Sequence, residues 1–524
     1  MIPRPHLRDV NPATALRTGA RLLWERSASV LPVYLLASGL YGAARAPLVV
    51  GGVAAVWLLA AGGRLDPFLE QLRAAEGGSV GPESGGGVGE ALSQSELGSA
   101  VAGLLTPSVL LLIAGGALVA AVLAVLASAV GNAAAVSGLF GLLRGNDGVH
   151  TAVTGVRRHW RSFLGVRLLL LAAIGAVLVP AVGVVATVIG VVSTGSTGGV
   201  GAAAVGAGVT ILAGLVVVLL VAGVLVLFAF ADQAIVVDDV GAGAAVKRSF
   251  RFPLRRPAAV LGYVAVAVGA LLLSAVGGSL AATAGAPRAA ALVGTVLVPP
   301  VVDGFKTALY ADASLSSAPD VAPPPVGTRL RSAFGDGLRS VGGFVRDHPA
   351  ANLASLGCVA AGGAAGWVAT ASVGVDFPVG SDVSGVFGTV PVGTFVNLAI
   401  NNWLVAVDVS YSGLAAGVPA VVSLVFNGLI VGAVSGVVDP VAFLALVAPH
   451  GVIEIPAIVI AGSAGLSLGG VGFGAVRGRY GDDDVAAAIR RVYRVLLGLV
   501  PLFVVAALIE AFLTPLVASA VLGG

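Results

Sequence analysis

The chain is short of nearly everything a water-facing surface is made of. Asp, Glu, Lys and Arg together supply 10% of its 524 residues, where a soluble globular domain carries about 25%. A soluble fold of this length would have no means of covering its outside. Cysteine occurs once, as Cys358, which excludes an intrachain disulfide and any CxxC or Cys/His ligand set. A lone thiol in apolar sequence reads as a small hydrophobe rather than a nucleophile. There are five histidines, with no HExxH and no convincing Ser/His/Asp set. Lysine is confined to Lys247 and Lys306. Glycine-rich tracts such as GGVGFGAVRG (Gly469–Gly478) therefore lack the lysine of a phosphate loop. The net charge of +3 gives no reason to expect a nucleic-acid partner.

What the chain has instead is apolar length. It is 57% hydrophobic, with a mean hydropathy of +1.01. Leu168–Val192, Ala202–Ala231, Ala258–Ala286 and Val495–Val517 each reach the roughly 20 residues that a membrane span needs. The expected fold class is all-α, a polytopic integral membrane helical bundle of about 10–12 transmembrane segments.

Positive charge is clustered, in Arg4–Arg26, Arg144–Arg167, Lys247–Arg256, Arg329–Arg346 and Arg477–Arg494. The positive-inside bias puts these clusters, and the N-terminus, in the cytoplasm. Arg64–Ser99 carries six acids against two arginines and a Gly/Ser tract, and is expected to be an external loop. Val30–Ala61 must then cross an odd number of times. It is read as one kinked crossing interrupted by Arg45 and Pro47, and as a retained anchor, because Ala44-Arg45-Ala46 before Pro47 makes a poor cleavage site. Small external turns are expected at STGSTGG and around Asp376–Gly388, and the C-terminus is expected outside the cell membrane.

Three units are expected: an N-terminal multi-pass domain over 1–312, a polar, Pro-containing cytoplasmic linker over 313–348 with the run PDVAPPPVG, and a second multi-pass domain over 349–524. In the first, segments beginning at Ala15, Ala152 and Ala244 each set arginines and aromatics ahead of an apolar run. That pattern suits helices lying in the headgroup layer, chiefly as topology anchors.

Chemistry concentrates near the end of the chain. APHGVIEIPAIVIAGSAG (Ala448–Gly465) is nearly all apolar yet holds His450 and Glu454, four apart and so on one helical face. Pro456 removes the donor that would reach the carbonyl of Val452. Together with Gly451, it predicts a broken or kinked helix at membrane depth. Ionisable groups there are functional candidates, because burying them costs several kcal/mol. Asn397, Asn401, Asn402 and Asn427, with Glu510 in AALIEAFLTP, are expected to join them in a polar core. Gly428, Gly432 and Gly436 form a double GxxxG, and Gly465 lies in a further small-residue stripe. These glycines allow close helix approach, while Gly451 and Pro456 are the expected hinge.

VNLAINNWLVA (Val396–Ala406), FNGLIVG (Phe426–Gly432), APHGVIEIPAIVIAGSAGLSLG (Ala448–Gly469) and AALIEAFLTP (Ala506–Pro515) resemble, in order, the stage II sporulation protein M family. The resemblance covers roughly Val345 to Gly524. It implies a multi-pass membrane scaffold, which in the bacterial sporulation member serves cell-wall hydrolases during engulfment. The arginine-rich composition looks archaeal, and a cell without peptidoglycan or spores has no use for that role. The N-terminal half, with FADQAIVVDDVGAGAAVKRSF (Phe230–Phe250), resembles uncharacterised multi-pass domains of haloarchaea. It is also faintly similar to the membrane domain attached to some glycerophosphodiester phosphodiesterases.

Three functions remain in view. The first is a non-enzymatic membrane scaffold or organising partner whose polar cluster satisfies itself. The second is a transporter or channel using Glu454, Glu510 and His450 as a proton or cation site. The third is an intramembrane hydrolase, for which His450 and Glu454 supply two metal ligands where a catalytic zinc takes three. No cofactor and no metal are expected. The expected partners are the lipid bilayer and either membrane proteins or a second copy of the chain.

Overall fold

The computed structural model describes residues 10–67, 101–194, 200–315, 324–371 and 391–522. The acidic loop, most of the STGSTGG turn, the segment around Asp376–Gly388 and the first part of PDVAPPPVG lie outside the described residues.

Helices begin where side chains can absorb the orphan backbone donors. Asn11 caps α1 (Pro12–Glu25), with its side-chain oxygen 2.8 Å from the amide of Thr14 and Pro12 filling the first turn. Arg26 then leads into α2 (Ser27–Ala61). Thr106 and Pro107 open α3 (Pro107–Leu143) in the same way. Asp147 accepts from the amides of Val149 and His150 at the start of α4 (Gly148–Thr194). A proline in the first turn costs nothing there and fixes φ for the helix. The chain continues through α5 (Val200–Phe228), α6 (Ala231–Asp238), α7 (Ala242–Arg255) and α8 (Pro257–Thr283). Next come α9 (Pro287–Leu292), a π-helical turn over Val293–Leu297, and α10 (Val298–Ala311), which together make one long rod.

The second half holds α11 (Val326–Asp347), α12 (Pro349–Ala371), α13 (Pro391–Ser412), α14 (Val418–Ser435), α15 (Pro440–Val476) and α16 (Asp482–Leu508). A π turn, Ile509–Leu513, joins α16 to α17 (Thr514–Leu522). Three aspartates in the first turn of α16 complement its dipole.

Eleven of these helical rods are long and apolar enough to cross a bilayer. Their outward faces are aliphatic: Leu111, Val179 and Ile211 are each more than 70% exposed. Water would not tolerate such a girdle, and hydrocarbon requires it. The protein is an all-α polytopic membrane bundle.

Two stretches with internal prolines are each one continuous helix. Val30–Ala61 lies within a single helix, α2, which continues through Pro32 and Pro47. Of the broken or kinked helix expected at Pro456, the break is absent: α15 is helical without interruption across Pro449, Gly451 and Pro456. Proline removes one hydrogen bond from a helix, but tertiary packing outweighs local propensity. Here the turns after Pro456 bury Ala457, Ala461, Gly462 and Gly465 among neighbouring helices. Within 313–348, residues 326–347 form α11, which buries Gly337, Val341 and Phe344 and meets α16 backbone to backbone at Gly337 and Gly498.

The two halves share a core. Gly39 of α2 lies under Tyr411 of α13. Tyr411 is fully buried, and its hydroxyl donates to the carbonyl of Ile489 at 3.2 Å. Asp408, one turn earlier, sits over Gly42, accepts from Ser38 and faces Arg45. On the side carrying the arginine clusters, α4 and α16 are tied by Arg157–Asp482 at 2.5 Å, His150–Asp483 at 2.8 Å and Arg490–Asp147 at 2.9 Å.

Candidate functional site

The glycine spacing is realised as close contact. A Cβ on Gly428 or Gly432 of α14 would overlap the backbone carbonyls of Val359 or Gly363 of α12, and one on Gly436 would overlap Thr370. The reciprocal positions, Gly362 and Gly366, face the carbonyls of Val425 and Leu429. Gly465 of α15 is pressed against Val409 and Gly413 at the end of α13. Gly451 differs, because its nearest neighbours are side chains of its own helix, Val447 and Ile455. Cys358 packs against the small apolar cluster of Val409, Ala420 and Leu424.

This frame brings three ionisable groups together. His450 and Glu454 lie one turn apart on α15. Glu510 comes from the π turn that interrupts the last membrane rod. A π turn adds a residue to the helical repeat and re-aims the side chains around it, and such bulges recur at functional sites. One ligand atom from each residue lies within 4.8 Å of the other two. His450 Nε2 stands 4.0 Å from Glu510 Oε1. The side chains of His450 and Glu510 are 14% and 19% exposed. His450 Nδ1 and Glu454 Oε2 are buried with no hydrogen-bond partner among the described residues. Likewise, no arginine or lysine forms an ion pair with either glutamate there.

The asparagines have other employment. Asn397 Oδ1 accepts from the amide of Arg288 at 3.0 Å, and so serves the first turn of α9 in the other half. Asn401 donates to Asn402, which is buried, at 3.3 Å. Asn427 donates to the carbonyl of Ser423 in its own helix. None of these bonds reaches the His450 group.

The sequence reading missed a second polar group, in the N-terminal half. Arg167 of α4 pairs with Asp232 of α6, both largely buried. Tyr34 of α2 donates to Asp303 of α10 at 3.0 Å, and Lys306 lies 3.8 Å from the same carboxylate. Gln233 is fully buried beside them in sequence, with neither amide atom bonded. The signal was available in VVDGFK (Val301–Lys306), where an acid and a base stand one turn apart at the end of an apolar run.

The two groups differ in charge balance. In the N-terminal group two acids meet two bases, the arrangement by which buried charges are ordinarily tolerated. In the C-terminal group two acids meet one imidazole and nothing cationic. The first is balanced in charge, although Asp232 Oδ1 and both amide atoms of Gln233 are buried without a partner among the described residues; the second has no cation beside its two acids there.

No curated protein and no solved structure matches the chain. Residues 86–315 match a family model described only as a domain of unknown function (DUF7847). Residues 355–515, which contain the twin glycine seams and His450, Glu454 and Glu510, match the family model of Stage II sporulation protein M, so the C-terminal third of the chain carries the signature of that membrane-protein family.

Proposed function

We propose that the chain is a non-catalytic membrane scaffold, placed in the cell membrane with its N-terminus cytoplasmic and its C-terminus external. The observation that carries this reading is the backbone-to-backbone packing of the glycine-bearing helices. α12 and α14, α13 and α15, and α11 and α16 each meet where no side chain intervenes. Helices locked in this way have little room to slide or rock, which suits a platform better than alternating access. Two apolar cavities support it further. One, of about 1030 Å³ between α1, α8, α10 and α11, is lined almost wholly by aliphatic and aromatic side chains. The other, of about 350 Å³, is also mainly aliphatic. Among the described residues eleven rods are long and apolar enough to cross, an odd number, which accords with termini on opposite faces under the positive-inside bias.

The test is assembly. Cross-linking in native membranes, followed by light scattering of the purified complex, should give a defined homo-oligomer or a stoichiometric complex with one membrane protein. A lone monomer that conducts ions in vesicles would replace the scaffold with the transporter. The uncompensated His450 group favours that second reading, and in it Glu454→Gln and Glu510→Gln abolish the flux.

A further inference from the structure

The group of His450, Glu454 and Glu510 poses a problem of charge. His450 is ten residues into α15 and Glu510 twelve residues before the end of α17. At 1.5 Å per residue these positions lie about 15 and 18 Å from the adjacent helix ends. That is about half the thickness of the hydrocarbon core. Two carboxylates at this depth cannot both stay ionised beside a neutral imidazole, because the cost of desolvation has nothing to offset it. Protons would neutralise them one by one. A single divalent cation would neutralise both at once and bring the net charge of the group to zero.

We propose that His450, Glu454 and Glu510 bind one divalent transition-metal cation, Zn2+ or Mn2+, which clasps the last membrane rod to α15. The claim goes beyond the scaffold reading and does not depend on it. Three features support it together. The donor atoms come from two rods and converge within 4.8 Å of one another. A metal at about 2.0–2.2 Å from each needs donors about 3.4 Å apart in a tetrahedral set. The required closure is therefore no more than about 1.5 Å, within the reach of glutamate rotamers. Next, His450 Nδ1 and Glu454 Oε2 are buried and unbonded, and a buried polar atom without a partner calls for an ion, a water or a proton. Finally, Glu510 sits on a π turn, whose cost in helix geometry is explained if the turn exists to aim that side chain.

The donor chemistry selects the metal class. One imidazole and two carboxylates form a mixed nitrogen–oxygen set, which suits zinc or manganese better than magnesium or calcium, whose protein ligands are oxygens. Three protein ligands leave a fourth position for water or for a group from a partner. The sequence offers all three residues as polar-core candidates, and the structure brings the third, Glu510, to the other two from the following helix of the hairpin.

The experiment uses the full chain in detergent, stripped with chelator and then dialysed against Zn2+ or Mn2+ with excess Mg2+ present. Elemental analysis should find close to one Zn2+ or Mn2+ per chain and raised thermal stability. Glu510→Gln and His450→Ala should each reduce occupancy at least tenfold. His450→Cys should retain Zn2+ and gain affinity for Cd2+, a shift that a purely structural histidine would not produce. Should the glutamine or alanine variants fail to fold, the X-ray absorption spectrum of the metal-loaded wild type decides, and it should show a light-atom shell of nitrogen and oxygen. The proposal is overturned if the wild type binds no metal, or if its metal survives loss of both Glu454 and Glu510. Either outcome leaves the assembly experiment untouched, so the two readings fail separately.

Discussion

The Cα of Gly432 lies so close to the backbone of Gly363 that a Cβ placed there would overlap the Gly363 carbonyl. The obstacle is backbone on a packed helix, so a larger residue cannot be accommodated by a rotamer change. Overpacking of this kind costs about 1–3 kcal/mol and sometimes more. Gly432→Ala should lower the thermal midpoint of the detergent-solubilised protein by several degrees, and Gly432→Leu should prevent α12 and α14 from pairing. Gly357→Ala, on α12 with nothing within 4 Å of the new methyl, is the control and should be neutral. Equal effects at Gly432 and Gly357 would show that the close approach does not limit stability.

Tyr411 supplies a second test, of how the halves are joined. Its Cβ lies against Gly39, and its hydroxyl reaches the carbonyl of Ile489, so this residue of α13 touches both α2 and α16. Tyr411→Phe removes only the hydrogen bond and should cost about 1 kcal/mol. Gly39→Val collides with the Cβ of Tyr411 and the backbone at Ser412, and should cost much more. The check is limited proteolysis of both variants. Gly39→Val should release the N-terminal half as a separable fragment, while Tyr411→Phe should not.

Long apolar runs and arginine clusters made the class of fold legible, because a bilayer constrains both directly. The glycine seams were legible for a similar reason. A GxxxG pair can be read from one strand of sequence, although nothing in it says that Gly362 and Gly366 will be the partners. The local shape around Pro456 was not legible. Loss of one hydrogen bond is a local signal, and the burial of Ala457 through Gly465 that overrides it is tertiary. Glu510 was visible as an odd acid in the last span, but the π turn that presents it to His450 leaves no mark in the residues IEAFL. The partners of the asparagines were not legible for the opposite reason. Their spacing is helical, yet Asn397 faces Arg288 of the other half, a contact that no spacing within one helix encodes.

The ties between α4 and α16 should be sensitive to acid. Burial alone would push the Asp147 carboxyl upward, but the amides of His150 and Val149 and the Arg490 guanidinium outweigh it and hold the group below the usual carboxylate range. A group depressed in the folded state contributes stability that is fully present above the unfolded value, near 3.9, and is lost as pH falls through the folded value. Thermal midpoints should therefore drop between about pH 5 and pH 3, and Asp147→Asn should flatten part of that drop. Asp147 is 52% exposed, so its ion pair contributes no more than about 1 kcal/mol. Asparagine keeps an oxygen that accepts from the amides of Val149 and His150, so the variant retains the cap on α4 and isolates the charge. Parallel slopes for variant and wild type below pH 5 would remove Asp147 from the account.

Arg167 and Asp232 test whether the N-terminal polar group is structural. Each is largely buried, so removing one leaves the other ionised without its partner. Breaking a buried pair in this way costs about 3–5 kcal/mol, whereas replacing both partners by apolar residues of similar size is often neutral. Arg167→Met alone and Asp232→Leu alone should each lower the yield of folded protein sharply. The double variant should recover most of it, giving a coupling energy of about 2 kcal/mol or more. Asp303, which also interacts with Arg167, and Lys306 lie near the same network and are unchanged in all three variants. A double variant as unstable as the worse single one would mean that Arg167 or Asp232 has a role outside the pair, and the distinction drawn between a balanced group and an unbalanced one would lose its first example. Full recovery, set beside a His450 group that cannot be replaced by apolar residues without losing its metal, would establish that distinction by measurement.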